Sequence, residues 1–200
     1  SATGGITPEE DSLGQKLTKA RHDTYMVQPG VEVFLGEFGY DKARGSKVSV
    51  PLVPGYSQSQ SHGIMMIRAI NAIFFSGFDR YIIYWIKDNY EETFPVLFLT
   101  CGLLRQHDNN IYTIYPAWYY ISTMYNHLGN YIPEKIVKEK GDVWVYKYRN
   151  KVSPDSAAYF VYCPTHSGKK VDQYNLEVGP VENNSATELS FKDESIEGTL

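Results

Sequence analysis

Two periods of apolar residues divide this chain. Near the amino end Leu13, Leu17, Ala20 and Thr24 recur at helical spacing among Lys16, Lys19, Arg21 and Asp23, which predicts a helix with one inward face. Ahead of it, Thr7-Pro8-Glu9-Glu10 has the form of a capping box, with Thr7 as N-cap and Glu10 capping in return. Pro29-Gly30 stops that helix. Val31 to Phe38 then reads as a short buried strand carrying Glu37 at its end, between Gly36 and Gly39. Residues 41–61, with Pro51 and Pro54, show no period and predict a long loop. A second helix is expected from about Gln60 to Ser76, apolar almost all round and ended by Gly77. The run from Arg80 to Asp88 reads as a second strand covered on both faces. An aromatic-rich loop through Tyr90, Phe94, Phe98 and Tyr112 leads to a third helix from about Pro116 to Leu128.

Long loops follow these strands and tight turns precede them, which is the asymmetry of parallel βα units. A doubly wound sheet shares that asymmetry, but no glycine-rich phosphate turn follows either strand, which counts against a nucleotide-binding version. After Pro133 the period changes to two. Ile136 to Lys138, Asp142 to Tyr148, Ala157 to Cys163, Val171 to Val178 and Thr187 to Phe191 predict short antiparallel strands. The expected organisation is an α/β part over 1–132, with strands at about 31–38 and 80–87, and an all-β part over 133–200.

Composition narrows the chemistry. The net charge of −4 and the absence of a Lys/Arg-dense run argue against a nucleic-acid surface. No stretch reaches the apolar length of a bilayer span, so no membrane partner is expected. Cys101 and Cys163 make no metal spacing and read as buried thiols, with a long-range disulfide as the minor alternative. No metal or cofactor is expected. His62, His107, His127 and His166 read as solvated, and Asn183-Asn184-Ser185 is only a weak glycosylation signal. Tyrosine, at 17 residues, is the unusual count, and its flat face with a polar tip suits a wet binding groove as well as a core edge.

A carboxylate at the end of a buried strand is costly unless it is paired or has a task, so Glu37 is the first candidate for chemistry. Phe34-Leu35-Gly36-Glu37-Phe38-Gly39-Tyr40-Asp41, together with Gly77-Phe78-Asp79-Arg80 and Tyr84-Trp85-Ile86-Lys87-Asp88, resembles the last βα units of a (β/α)₈ TIM barrel of the clan A retaining glycoside hydrolases. Pro116 to Tyr120 and Asn126 to Gly129 are similar to the closing helix of such a barrel, and the segments after it to an appended β-sandwich domain. The resemblance implies that Glu37 is the catalytic nucleophile. It further implies that Trp85 and Tyr84 give a sugar ring apolar faces, with Tyr40, Asp41 and Asp88 as further substrate contacts.

The clan places its proton donor after an asparagine at a strand end, and no Asn-Glu pair occurs in this sequence. The chain is therefore expected to behave as a fragment, inactive when isolated, whose Ile196 to Leu200 look cut in mid-strand. Its expected partners are an oligo- or polysaccharide and either the missing amino-terminal barrel segment or another chain that completes the sheet. A secreted or periplasmic parent fits this reading, although the cysteines leave the compartment open. The alternative is a non-catalytic carbohydrate-binding or pseudo-enzyme module.

Overall fold

A computed structural model describes residues 5–88, 90–107, 111–141 and 143–164, together with the backbone of 173–178 and 187–192. The chain divides into two compact units, Ser1–Asn126 and His127–Leu200.

The first unit is built around helix α2, Gln58–Phe75. Its start is fixed by a capping box: Ser57 accepts from the Gln60 backbone N–H, and the Gln60 side chain accepts from the Ser57 N–H. Met65, Met66, Ala69, Ile70 and Ile73 are fully buried, so this helix is apolar around most of its surface, as its sequence indicates. Helix α1, Leu13–Val27, packs on it less deeply. Of the stripe Leu13, Leu17, Ala20 and Thr24, only Leu17 is buried, and Ala20 faces solvent. Helix α3, Pro116–Leu128, comes so close to α2 that a Cβ on Gly63 would meet the Tyr120 ring at 2.5 Å.

The capping box at Thr7 forms, with reciprocal 3.1 Å hydrogen bonds between Thr7 and Glu10, but it closes a turn. The helix begins only at Leu13, after Ser12 adopts a left-handed backbone. That turn carries Glu9, which pairs with Arg68 of α2, both side chains nearly buried.

Strands β1, Phe34–Phe38, and β2, Arg80–Ile83, form a two-stranded parallel sheet. One face packs on the helices: Val33, Leu35, Phe38 and Tyr81 lie against Leu17, Ile73 and Phe78. The other face is open. Phe34 is 60% and Ile82 53% exposed, so neither strand is covered on both sides as its apolar run suggests. The second strand also ends early. At Tyr84 the chain leaves the sheet, and β3, Lys87–Asp88, starts a separate three-stranded sheet with β4, Leu104–Gln106, and β5, Tyr112–Ile114. Part of the expected aromatic loop is therefore sheet, with β3 parallel and β5 antiparallel to β4.

In the second unit β6, Tyr131–Lys138, β7, Trp144–Asn150, and β8, Ala157–Tyr162, form an antiparallel sheet. Val145, Tyr146 and Tyr148 are buried in it, and the Tyr146 and Tyr162 rings stack at 5.9 Å. Strands β9, Gln173–Val178, and β10, Thr187–Lys192, form an antiparallel hairpin. His166, the Asn183-Asn184-Ser185 sequon and Ile196 to Leu200 lie outside the described residues.

The expected fold class, the end of a (β/α)₈ barrel followed by a β-sandwich, is therefore corrected. The described residues form a mixed α/β arrangement of small separate sheets, with no barrel closure. Local turn asymmetry reports parallel βα pairing, which β1 and β2 show. Closure depends on strand number, tilt and shear around a whole ring, and two strands ending at Ile83 supply one ladder.

Replacing Glu9 by alanine removes the carboxylate facing buried Arg68, and we expect a loss of about 3 kcal/mol in denaturant unfolding, the scale for breaking a buried pair from one side.

Candidate functional site

Three segments converge beyond the carboxyl ends of β1 and β2. The Tyr84 N–H donates to the Phe38 carbonyl at 3.0 Å, which carries the parallel pairing one residue further. A Cβ on Gly39 would sit 3.7 Å from that of Tyr84 and 3.6 Å from that of Cys101, so the chain passes between them closely. The Lys42 N–H donates to the Thr100 carbonyl at 2.9 Å, tying residues 98–102 to the loop after β1.

Glu37 sits on the open face. Between Leu35, opposite Tyr81, and Phe38, opposite Ile83, β1 has one residue more than β2. Leu35 and Phe38 both stay on the helix side, and Gly36 and Glu37 are both left exposed. The Glu37 side chain makes no hydrogen bond or ion pair with the described residues. The premise of a carboxylate buried in a core strand is thus corrected: the bulge turns it outward. Trp85 is also exposed, at 40%, and its ring meets the Tyr84 ring edge-on at 5.3 Å. Tyr40 is half-buried, and its hydroxyl donates to the Ile6 carbonyl at 3.1 Å. Burial, with the Glu9 carboxylate nearby, raises that phenol well above its ordinary range.

Asp41 and Asp88 lie elsewhere, in the protein interior. Asp41 is fully buried, and its carboxylate accepts from Ser46 Oγ at 2.5 Å, the Phe98 N–H at 2.8 Å, the Thr100 N–H at 3.1 Å and Thr100 Oγ1 at 3.2 Å. Every lone-pair direction has a donor. Asp88 forms a buried ion pair with Lys42, at 3.1 and 3.0 Å from the two carboxylate oxygens, and accepts from the Gly102 N–H at 2.6 Å. Lys42 Nζ also donates to the Gly102 carbonyl at 2.7 Å and lies 4.1 Å from the centre of the Tyr115 ring. No side chain fits at Gly102, where a Cβ would meet the Asp88 nitrogen at 2.5 Å. Burial pulls the Lys42 ammonium below the usual lysine range and pushes Asp88 up, each opposed by the other's charge.

His62, read as solvated from the sequence, is fully buried in α2, and neither ring nitrogen has a hydrogen-bond partner of ordinary geometry. Burial and the Lys42 charge hold its pKa well below the usual 6.5, against a smaller opposite pull from the Tyr40 backbone. His107 and His127 are exposed, as expected. Cys101 is a buried thiol pushed up to about 12 by burial and the Asp41 charge, and Cys163 is a half-buried thiol; neither is in a disulfide among the described residues. Lys42, Thr100 and Tyr115 gave no sequence signal, since a lysine in a Gly/Ser loop reads as solvated. Among the described residues no cluster of His, Cys, Asp and Glu could hold a metal ion, and no helix is long and apolar enough to cross a membrane.

No protein-family model, curated protein or solved structure matches the chain significantly.

Two outcomes are expected here. Asp88→Ala leaves the Lys42 ammonium buried without its partner and costs about 3–5 kcal/mol in chemical denaturation, whereas the double change Lys42→Met with Asp88→Leu costs much less. Equal losses for the single and double variants would contradict this account of the pair. Stability also depends on pH through His62. The unfolded chain binds a proton near pH 6.5 and the folded chain does not, so this contribution is complete above that pH and lost as pH falls below it. The slope approaches about 1.4 kcal/mol per pH unit. Thermal melts between about pH 7.5 and 5.5 should show the decline, and His62→Leu should flatten it.

Proposed function

We propose that this chain supplies the nucleophile of a retaining glycoside hydrolase site, with Glu37 as the attacking carboxylate. The observation that supports it is the bulge in β1, which presents an unpaired carboxylate at the carboxyl end of a parallel strand, on an open face. The exposed ring of Trp85 is carried by the segment that extends the neighbouring strand.

Retaining hydrolysis needs two carboxyl groups roughly 5 Å apart. In this reading a Glu37 oxygen attacks the anomeric carbon as the glycosidic C–O bond breaks, and the departing oxygen takes a proton from the second group. Water, deprotonated by that same group, then attacks the anomeric carbon and releases Glu37. The second carboxyl group comes from another polypeptide segment, and the 200-residue chain alone does not turn over. Trp85 and Tyr84 offer ring faces to the sugar, whereas the Tyr40 hydroxyl is turned to the Ile6 carbonyl. Asp41, whose two oxygens accept four internal hydrogen bonds, and Asp88, paired with the buried Lys42 ammonium, hold the loops and make no contact with substrate.

Non-catalytic carbohydrate binding is the second reading, and the open, partnerless setting of Glu37 favours it. Aryl β-glycosides separate the two when the chain is assayed together with the segment that brings the proton donor. The catalytic reading expects hydrolysis, a fall in kcat of about 10⁴-fold or more in Glu37→Gln, and a 2-fluoroglycosyl adduct on Glu37 by peptide mass mapping. Glycan binding that Glu37→Gln leaves unchanged, without turnover, would establish the binding reading instead.

A further inference from the structure

Phe98 has a left-handed backbone, φ 63°, a conformation that a bulky side chain rarely adopts. Such a residue costs on the order of 1–3 kcal/mol and persists only where its surroundings hold it. Here they do. Its N–H donates to Asp41 Oδ2 at 2.8 Å, its carbonyl accepts from Cys101 Sγ at 3.4 Å, and two residues on Thr100 binds the other Asp41 oxygen.

The result is a placed ring. Phe98 lies 5.0 Å from Tyr84, which lies 5.3 Å from Trp85, so three aromatic rings run in sequence beyond the ends of β1 and β2. Phe98 is 37% and Trp85 40% exposed, so both ends of the series meet solvent. The rings are inclined to each other, at 50° and 80°, which makes an angled wall and no flat platform. The buried Asp41 carboxylate holds the Phe98 backbone, and the ring it carries lies against Tyr84 with one side in solvent.

We propose that Phe98 is a sugar-contacting residue that works with Trp85 to select an oligosaccharide of at least two rings over a single sugar. This rests on the carbohydrate reading above. One ring of the ligand lies against Trp85 and its neighbour against Phe98, with Tyr84 filling the angle between them. The Asp41 carboxylate positions Phe98 without itself touching ligand.

Glycine accepts the left-handed backbone freely, so Phe98→Gly removes the ring and leaves the turn in place. Cellotetraose, xylotetraose, mannotetraose and the matching monosaccharides are titrated into the 200-residue chain and followed by calorimetry. The wild-type chain should bind at least one tetraose more tightly than its monosaccharide. Phe98→Gly should weaken that tetraose about tenfold, leave the monosaccharide within about twofold, and melt no lower than wild type. Phe98→Trp should restore tetraose binding. If Phe98→Gly binds the tetraose as wild type does while Trp85→Ala loses it, the role given to Phe98 is wrong and the carbohydrate reading stands. If wild type binds none of these sugars, both are overturned.

Discussion

One buried carboxylate, that of Asp41, holds together the part of the first unit that has least regular structure. The loop after β1 and the 98–102 segment share few backbone hydrogen bonds, so a side chain with acceptors in several directions takes the place of a ladder. Asp41 accepts four hydrogen bonds from Ser46, Phe98 and Thr100, one from within its own loop and three from the facing segment. Its neighbour Lys42 reaches a third piece of chain, Asp88 in β3, and completes its bonding at the Gly102 carbonyl. Two adjacent residues of opposite charge thus anchor one loop to two places. Buried charges of this kind are strongly unfavourable when half-satisfied, so any alternative loop arrangement that keeps them from water without their partners is penalised.

The polar anchor compensates for a weak sheet. Two parallel strands of four and five residues have little to hold them beyond the helix face they pack on. Tyr84 is tied to the end of β1 by its N–H to the Phe38 carbonyl and packs beside Gly39, and Asp41 and Lys42 anchor the chain two and three residues further on.

Elements with a strong period were legible in the sequence, and polar interiors were not. The third helix runs from Pro116 to Leu128 as its apolar spacing indicates, and α2 differs by only a residue or two at each end. The first helix shows the limit of motif reading, since the Thr7 and Glu10 side chains cap each other as expected yet close a turn that Ser12 ends. The apolar run from Arg80 to Asp88 hid a break at Tyr84, because continuous hydrophobicity carries no mark of where a chain changes sheets. The prominence of Glu37 came from spacing between glycines, but its exposure came from a bulge, which is a property of the strand pair and is invisible in one strand. His62 was misplaced and Lys42 passed over for a common reason. Charge and polarity predict exposure on average, and only the facing residues, Asp88 and Gly102 for Lys42, reveal an exception.

The open face of the β1–β2 sheet bears on whether Glu37 can act. A carboxylate in water is well solvated, and it attacks carbon slowly because its hydration shell must first be removed. Phe34 and Ile82 flank it with exposed apolar surface, so whatever covers this face gains from their burial and strips water from Glu37 in the same event. Drying alone would defeat the chemistry, since desolvation favours the protonated acid, which is no nucleophile. The covering group therefore has to bring hydrogen-bond donors or positive charge to Glu37 along with apolar area. A purely hydrophobic cover would bury the sheet and silence the residue.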